Sequence, residues 1–289
     1  MKQITTILAI LVGFTMNGQW SYNSNNTGVQ ASGCTASGYN STAMGATTAS
    51  GYNSTAMGYN TTASGSYSTA IGDNSFATGT ASTAIGSYTT ASGYRSTAMG
   101  DGTSATDYAS LTIGRYNSVN KTVTTGGNAT SFDTDNAAFV IGNGTLWNAT
   151  SDAFVVYFNG NATLSGDLTI NSDERLKENI QPLGSTLNKL NQIEGWTYSL
   201  KKDEEHTPKI GVLAQEVQAV FPELVTEGGD GILSVNYQGL VPVLINAINE
   251  QEVKIAALEA QNAEIKELKE MVRLLALKQS KKSSTAAAN

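Results

Sequence analysis

The segment NSDERLKENI, Asn171 to Ile180, sets a serine and a lysine five residues apart, at Ser172 and Lys177. From these residue types a nucleophile and its base can be made. A serine hydroxyl attacks poorly until a base takes its proton. A lysine serves as that base only when neutral, which requires desolvation or neighbouring positive charge. Arg175 is a cation close in sequence. Five residues is the wrong spacing for one face of a straight helix, so the two side chains must meet across a turn or between subunits. A plainer role fits the same residues: Ser172 as a helix cap, Asp173 and Glu174 in the first helical turn, and Lys177 as a surface charge.

The pair sits on a seam in composition. The chain has 289 residues, 29 of them glycine, and a formal net charge of −7. Residues 20–171 hold three basic and seven acidic side chains, whereas residues 172–289 hold 13 and 17. Phosphate recognition needs clustered Lys and Arg. Only KQSKK near the end is clustered, and it reads as a solvated helix end, so nucleic acid is not an expected partner. No His, Cys and carboxylate grouping suggests a metal site, and no cofactor is implied. The single histidine, His206, lies in the polar stretch KDEEHTPK and is expected to face solvent. The single cysteine, Cys34, is expected to be an unpaired thiol, since one cysteine forms no intramolecular disulfide.

The first residues, MKQITTILAILVGFTMNGQW, have a basic start, an apolar run over Ile4–Met16 and small or polar residues near Gly18 and Gln19. This pattern predicts a signal peptide over 1–19. The run is short for a membrane span, so a secreted or cell-surface chain with no transmembrane segment is expected.

Repeats organise the next stretch of the chain. ASGYNSTAMG at 36–45 returns at 49–58, and nearly again as ASGYRSTAMG at 91–100. Glycines fall every seven residues from Gly51 to Gly100, each preceded two residues earlier by alanine. The residue between alternates between Met57, Ile71, Ile85 or Met99 and Ser64, Thr78 or Ser92, so the unit is fourteen residues. Gly45 to Gly51 is one residue short. Such glycine-rich, Ser/Thr/Asn-rich repeats oppose a helix. They suit two short strands per unit, with glycine taking a positive φ at each corner, Gly79 among them. Alternation along STAMG puts Ser and Ala on one face and Thr and Met on the other, and such turns must stack to bury a core. The Asn128–Thr130 sequon reads as a product of composition rather than a glycosylation site.

The repeats resemble the head of trimeric autotransporter adhesins. That resemblance implies a left-handed parallel β-roll, with three chains side by side and apolar faces between subunits. Residues 117–171 leave the period, and AAFVIGNG and DAFVVYFNGNATLSGDLTI read as a β-rich neck with Asn-Gly turns.

Beyond the seam stand three motifs: SDERLKENI at 172–180, GVLAQEVQAVFPELV at 211–225 and LSVNYQGLVPVLINAINEQ at 233–251. Together they resemble the C-terminal intramolecular chaperone of phage endosialidases and tail fibres, a self-cleaving serine peptidase. The resemblance implies Ser172 as nucleophile, Lys177 as general base and Asn171–Ser172 as the bond cut. Glu216, within AQE, is assigned no chemistry and is expected to shape the fold. A helix from about Tyr237 to Gln279 carries Val241, Leu244, Ile248, Ile255, Leu258 and Ile265 at a/d spacing, then Leu268, Val272 and Leu275 after a skip. This predicts a coiled coil with a local change of winding. Ile at a with Leu at d suits two strands, whereas the resemblance implies three.

The expected fold is therefore a mainly β fibrous head over 20–116, a neck over 117–171 and an α+β chaperone domain over 172–245. A coiled-coil helix over 246–279 and a disordered tail over 280–289 complete it. The expected function is a secreted homotrimeric fibre, meeting a surface receptor or glycan, whose C-terminal domain aligns three chains and then releases itself. The alternative is a surface or tail-fibre protein in which that domain remains as a permanent trimerisation cap.

Overall fold

The computed structural model describes residues 20–22, 27–120, 122–201, 203 and 205–286; the expected signal peptide lies outside them. The chain divides into two compact units, 1–171 and 172–289.

In the first unit the strands are β1 Trp20–Tyr22, β2 Val29–Ala31, β3 Thr35–Ala36, β4 Thr42–Ala49, β5 Thr55–Ala63, β6 Thr69–Asp73, β7 Phe76–Ala77 and β8 Thr83–Ser87. The next are β9 Thr90–Ala91, β10 Thr97–Asp101, β11 Ser104–Ala105, β12 Leu111–Arg115, β13 Ala137–Asn143, β14 Asp152–Tyr157 and β15 Ala162–Leu164. They build a parallel β-solenoid. One ladder runs β4-β5-β6-β8-β10-β12-β13 and pairs each repeat with its own copy, so that Met57, Ile71, Ile85, Met99 and Ile113 stand in one row. A second ladder pairs β5, β7, β9 and β11 in the same way. The short repeat is accommodated by a bulge, since Ala46 pairs with Tyr59 and Thr47 with Thr61, leaving Asn60 over.

Alternation places the residues as the pleat requires. Eleven alanines, Ala36 to Ala105, form the core between the ladders, each at most 1% exposed. Ser54, Ser68, Ser82 and Ser96 are buried beside them, while Thr55, Met57, Ile71 and Ile85 face outward, half-buried. The core is thin because alanine alone lets the two layers come this close.

The glycines fall into two classes, and only one fits the sequence expectation. Gly72 and Gly86 have positive φ, +125° and +135°. Gly79 does not, which corrects the reading of it as a positive-φ corner. A Cβ there would lie 2.2 Å from the Gly93 carbonyl oxygen, so glycine is required by close approach of the next rung. Left-handed backbone at the corners is carried instead by Asn74, Ala81, Tyr88 and Arg95. Asparagine adopts it readily; the others do so at a cost of about 1–2 kcal/mol each.

The solenoid ends through side chains. Asn117 places its amide where a further rung of the second ladder would lie, accepting from Ser104 N at 2.7 Å and donating to Ser104 O at 2.9 Å. Asn120 Oδ1 likewise accepts from Thr106 N and Asp107 N. Asp107, fully buried, accepts from Thr124 N, Thr124 Oγ1 and Ala137 N at 2.6–2.8 Å. After β13, β14 returns antiparallel to it, and β15 pairs antiparallel with β14 through the Asn159-Gly160 turn.

The second unit holds two hairpins, β16 Trp196–Tyr198 with β17 Lys209–Gly211, and β18 Val225–Glu227 with β19 Leu233–Val235. Its helices are α1 Leu187–Leu190, α2 Ala214–Val220 and α3 Leu240–Ala286. Val217, Phe221 and Val243 are its buried centre, with Leu190, Ile193, Val212 and Val235 packed around them. Helix α3, 47 residues and about 70 Å long, begins after a 3-10 turn at Tyr237–Gly239. Pro242 sits in its first turn, where no intrahelical donor is lost. The helix continues through Ala286, past the expected end at Gln279 and into the stretch read as a disordered tail, since extending an established helix costs little.

Candidate functional site

Ser172 and Lys177 meet within one chain, across a single 3-10 turn at Glu174–Leu176. Leu176 N donates to Asp173 O and Lys177 N to Glu174 O, at 3.1 and 3.0 Å. Lys177 leaves the turn extended, φ −119° and ψ 147°, and its side chain folds back so that Nζ donates to Ser172 Oγ at 2.8 Å. The helix cap is Asp173 rather than Ser172: its carboxylate accepts from Arg175 N at 2.9 Å. The same carboxylate holds the Arg175 guanidinium, Nε at 3.0 Å and Nη2 at 2.6 Å. These hydrogen bonds, with the nearby Lys177 charge, keep the Asp173 carboxyl below the usual aspartate value; they push Arg175 further up. Ser172, Lys177 and their neighbours from Asn171 to Ile180 are exposed in the single chain, with Leu176 and Ile180 leaving apolar surface open beside them.

Residues 172–226 match the family described as chaperone of endosialidase, and residues 35–48, 49–75 and 77–103 match the YadA head domain repeat. Over these stretches the chain is similar to a chaperone of endosialidase placed behind YadA head repeats.

Curated relatives agree in kind. The long tail fiber protein Gp37 of Salmonella phage S16 is 30% identical over 156 residues, 51% of this chain and 20% of that protein. Gp37 of Escherichia phage AR1 is 39% identical over 97 residues, 31% of this chain and 9% of that protein. A probable tail fiber protein of Escherichia phage Phieco32 is 36% identical over 99 residues, covering 32% of this chain and 14% of that protein. The chain is tail-fibre-like, and it spans a fifth or less of the length of these relatives.

The matched chaperone segment starts at Ser172 and ends at 226, so the motif at 233–251 lies beyond it. Within the chaperone segment Glu216 shapes the fold: its carboxylate accepts from Glu194 N at 3.0 Å and Trp196 Nε1 at 3.1 Å, pinning the start of β16 to α2. His206 is exposed in its loop, at φ 51°. Two features escaped the sequence reading. One is the Asp173–Arg175 clamp, whose signal was a carboxylate two residues before a guanidinium. The other is a tie between α1 and α3, in which Glu250 accepts from Thr186 N and Ser185 Oγ, while Asn246 Nδ2 donates to Gly184 O. No local pattern marks contacts that span more than sixty residues. Cys34 is a free thiol beside the alanine core. Among the described residues, no helix is long and apolar enough to cross a membrane.

Proposed function

We propose that this chain forms a fibrous homotrimer in which the C-terminal region aligns three copies and then frees the upstream fibre by cutting Asn171–Ser172. The carrying observation is the 2.8 Å contact between Lys177 Nζ and Ser172 Oγ, at the first residue of the matched chaperone segment. With the amine neutral, the same contact reverses: the Ser172 hydroxyl donates and Lys177 accepts. Ser172 Oγ then attacks the Asn171 carbonyl carbon. The C–N bond breaks, the Ser172 nitrogen takes the proton, and an ester joins Asn171 to Ser172 Oγ. Water opens the ester, giving an Asn171 carboxylate and a free Ser172 N-terminus.

Lys177 is exposed in one chain, so its desolvation would have to come from assembly, which orders cutting after trimerisation. Association is supported by apolar surface that a single chain leaves open. Ile255, Leu258 and Ile265 on α3 are 49%, 57% and 46% exposed, and the outward Met and Ile row of the solenoid is half-exposed. The coiled coil belongs to this proposal, and three chains rather than two rests on kinship with YadA heads and tail fibres. Residues 1–19 would direct export, and a surface receptor or glycan would meet the head.

The test is intact mass and N-terminal sequencing of purified protein. Wild type should split without added protease, with a new terminus reading SDERLKEN; Ser172→Ala should abolish the cut and Lys177→Ala should nearly do so. A wild-type trimer that stays full length supports the second reading, a permanent trimerisation cap, which the exposure of Lys177 in the single chain favours.

A further inference from the structure

The Asp173 carboxylate lies near two cations, Arg175 and Lys177, and the structure gives it wholly to one. Oδ1 accepts from Arg175 N and Nε; Oδ2 accepts from Arg175 Nη2. Lys177, four residues on, is left to a neutral hydroxyl, Ser172 Oγ, at 2.8 Å. In water an ammonium prefers a carboxylate to a hydroxyl, since only the carboxylate adds the attraction of an opposite charge. Something must therefore withhold the carboxylate, and a planar guanidinium fork that fits both oxygens does so where a lysine ammonium, a point charge, would not.

We propose that Arg175 is a positioning residue for self-cleavage, occupying Asp173 so that the Lys177 amine is left to Ser172. The inference rests on the self-cleavage reading for its consequence, but not for its geometry. Arg175 touches none of the reacting atoms. Without it, Oδ2 opens and Lys177 swings to Asp173. A lysine held there stays protonated and has no electron pair for the Ser172 proton. An exposed ion pair adds little to stability, so the fold survives its loss. Asp173 must itself stay, because its side chain caps the turn that folds Lys177 back.

Two measurements on the full chain test this. In the first, self-cleavage is timed after refolding. Arg175→Gln should slow it on the order of tenfold, a part of the roughly hundredfold or more that one general base contributes. Adding Asp173→Asn should restore most of the rate, because the competing charge is gone while an amide oxygen still caps the turn. A merely structural Arg175 would leave the double variant no faster than Arg175→Gln, and that result overturns the proposal. In the second, Lys177 is acylated with an amine-reactive ester in the uncleavable Ser172→Ala chain, and its labelling is read by mass against Lys201. Arg175→Gln should lower the ratio several-fold and Asp173→Asn should return it. An unchanged ratio overturns the inference whether or not wild type cuts. A lowered ratio in a protein whose wild type never cuts supports the arrangement and sinks self-cleavage alone.

Discussion

Single residues in the solenoid are constrained by the rung above them more than by their own backbone. Gly79 takes no positive φ, yet a methyl there would meet Gly93 O at 2.2 Å and Ser92 O at 2.7 Å, both backbone atoms that cannot swing aside. Gly79→Ala should therefore destabilise the solenoid by about 1–3 kcal/mol, as overpacking does. Gly166→Ala, with nothing within 4 Å, should melt like wild type. Equal melting of Gly79→Ala and wild type would show that the rungs can separate. Asp107 occupies the next position of the Gly79 and Gly93 series, and it can carry a side chain because, among the described residues, no rung of that ladder stacks on it. Its carboxylate ends the solenoid by taking Thr124 and Ala137 N–H groups out of an otherwise unpaired state. Asp107→Ala should cost about 1–3 kcal/mol for the buried donors left without partners, read as a lower melting temperature of the head.

Elements are joined in the chaperone region by polar ties as well as by packing. Helix α1 is a single turn and gains little from its own hydrogen bonds. It is held by Val243 O, which accepts from Thr186 Oγ1, and by Glu250, which accepts from Thr186 N and Ser185 Oγ. The Thr186 N–H first, then the two hydroxyls, hold the Glu250 carboxyl below the ordinary glutamate value. A carboxyl lowered in the folded state contributes stability above its unfolded value and loses it as pH falls through the folded one. Glu250→Gln should thus be less stable than wild type at neutral pH, and the gap between their melting temperatures should close in acid below the ordinary glutamate range. A gap that is constant with pH would mean that Glu250 acts through shape rather than charge. Helix α3 is the opposite case: beyond residue 250 its described side chains are all exposed, so its apolar seam has no use within one chain.

For the whole molecule, apolar surface on α3 and along the solenoid predicts association. Light scattering should give three copies for the full chain, and Ser172→Ala should trimerise equally, since Ser172 packs in no core. A stable monomer would leave both apolar surfaces without a purpose. If the chaperone region starts assembly and is then cut away, folding and unfolding no longer share a route. Stacked parallel rungs that, in the proposed trimer, must also find two partners would nucleate slowly. Heat-denatured cut fibre should therefore fail to regain trimer on cooling, while the uncut Ser172→Ala chain should recover it. Equal recovery would remove the chaperone from the folding pathway.

The fourteen-residue rung, alanine inside, methionine and isoleucine outside and the short repeat that becomes a bulge were all legible in the sequence. A strand alternates with period two, and in a parallel stack each repeat pairs with its own copy, so local pattern and long-range pairing carry the same information. That Ser172 and Lys177 meet across a turn was one of the arrangements legible in their spacing, because five residues rule out one face of a straight helix. Which carboxylate Arg175 would take, why Gly79 must be glycine, how Asp107 and Asn117 finish the ladder and where Glu250 reaches were decided only by tertiary structure. Each depends on a distance between atoms that the local pattern does not fix: a rung's separation, the fold of one side chain back over a turn, or a contact across sixty-four residues.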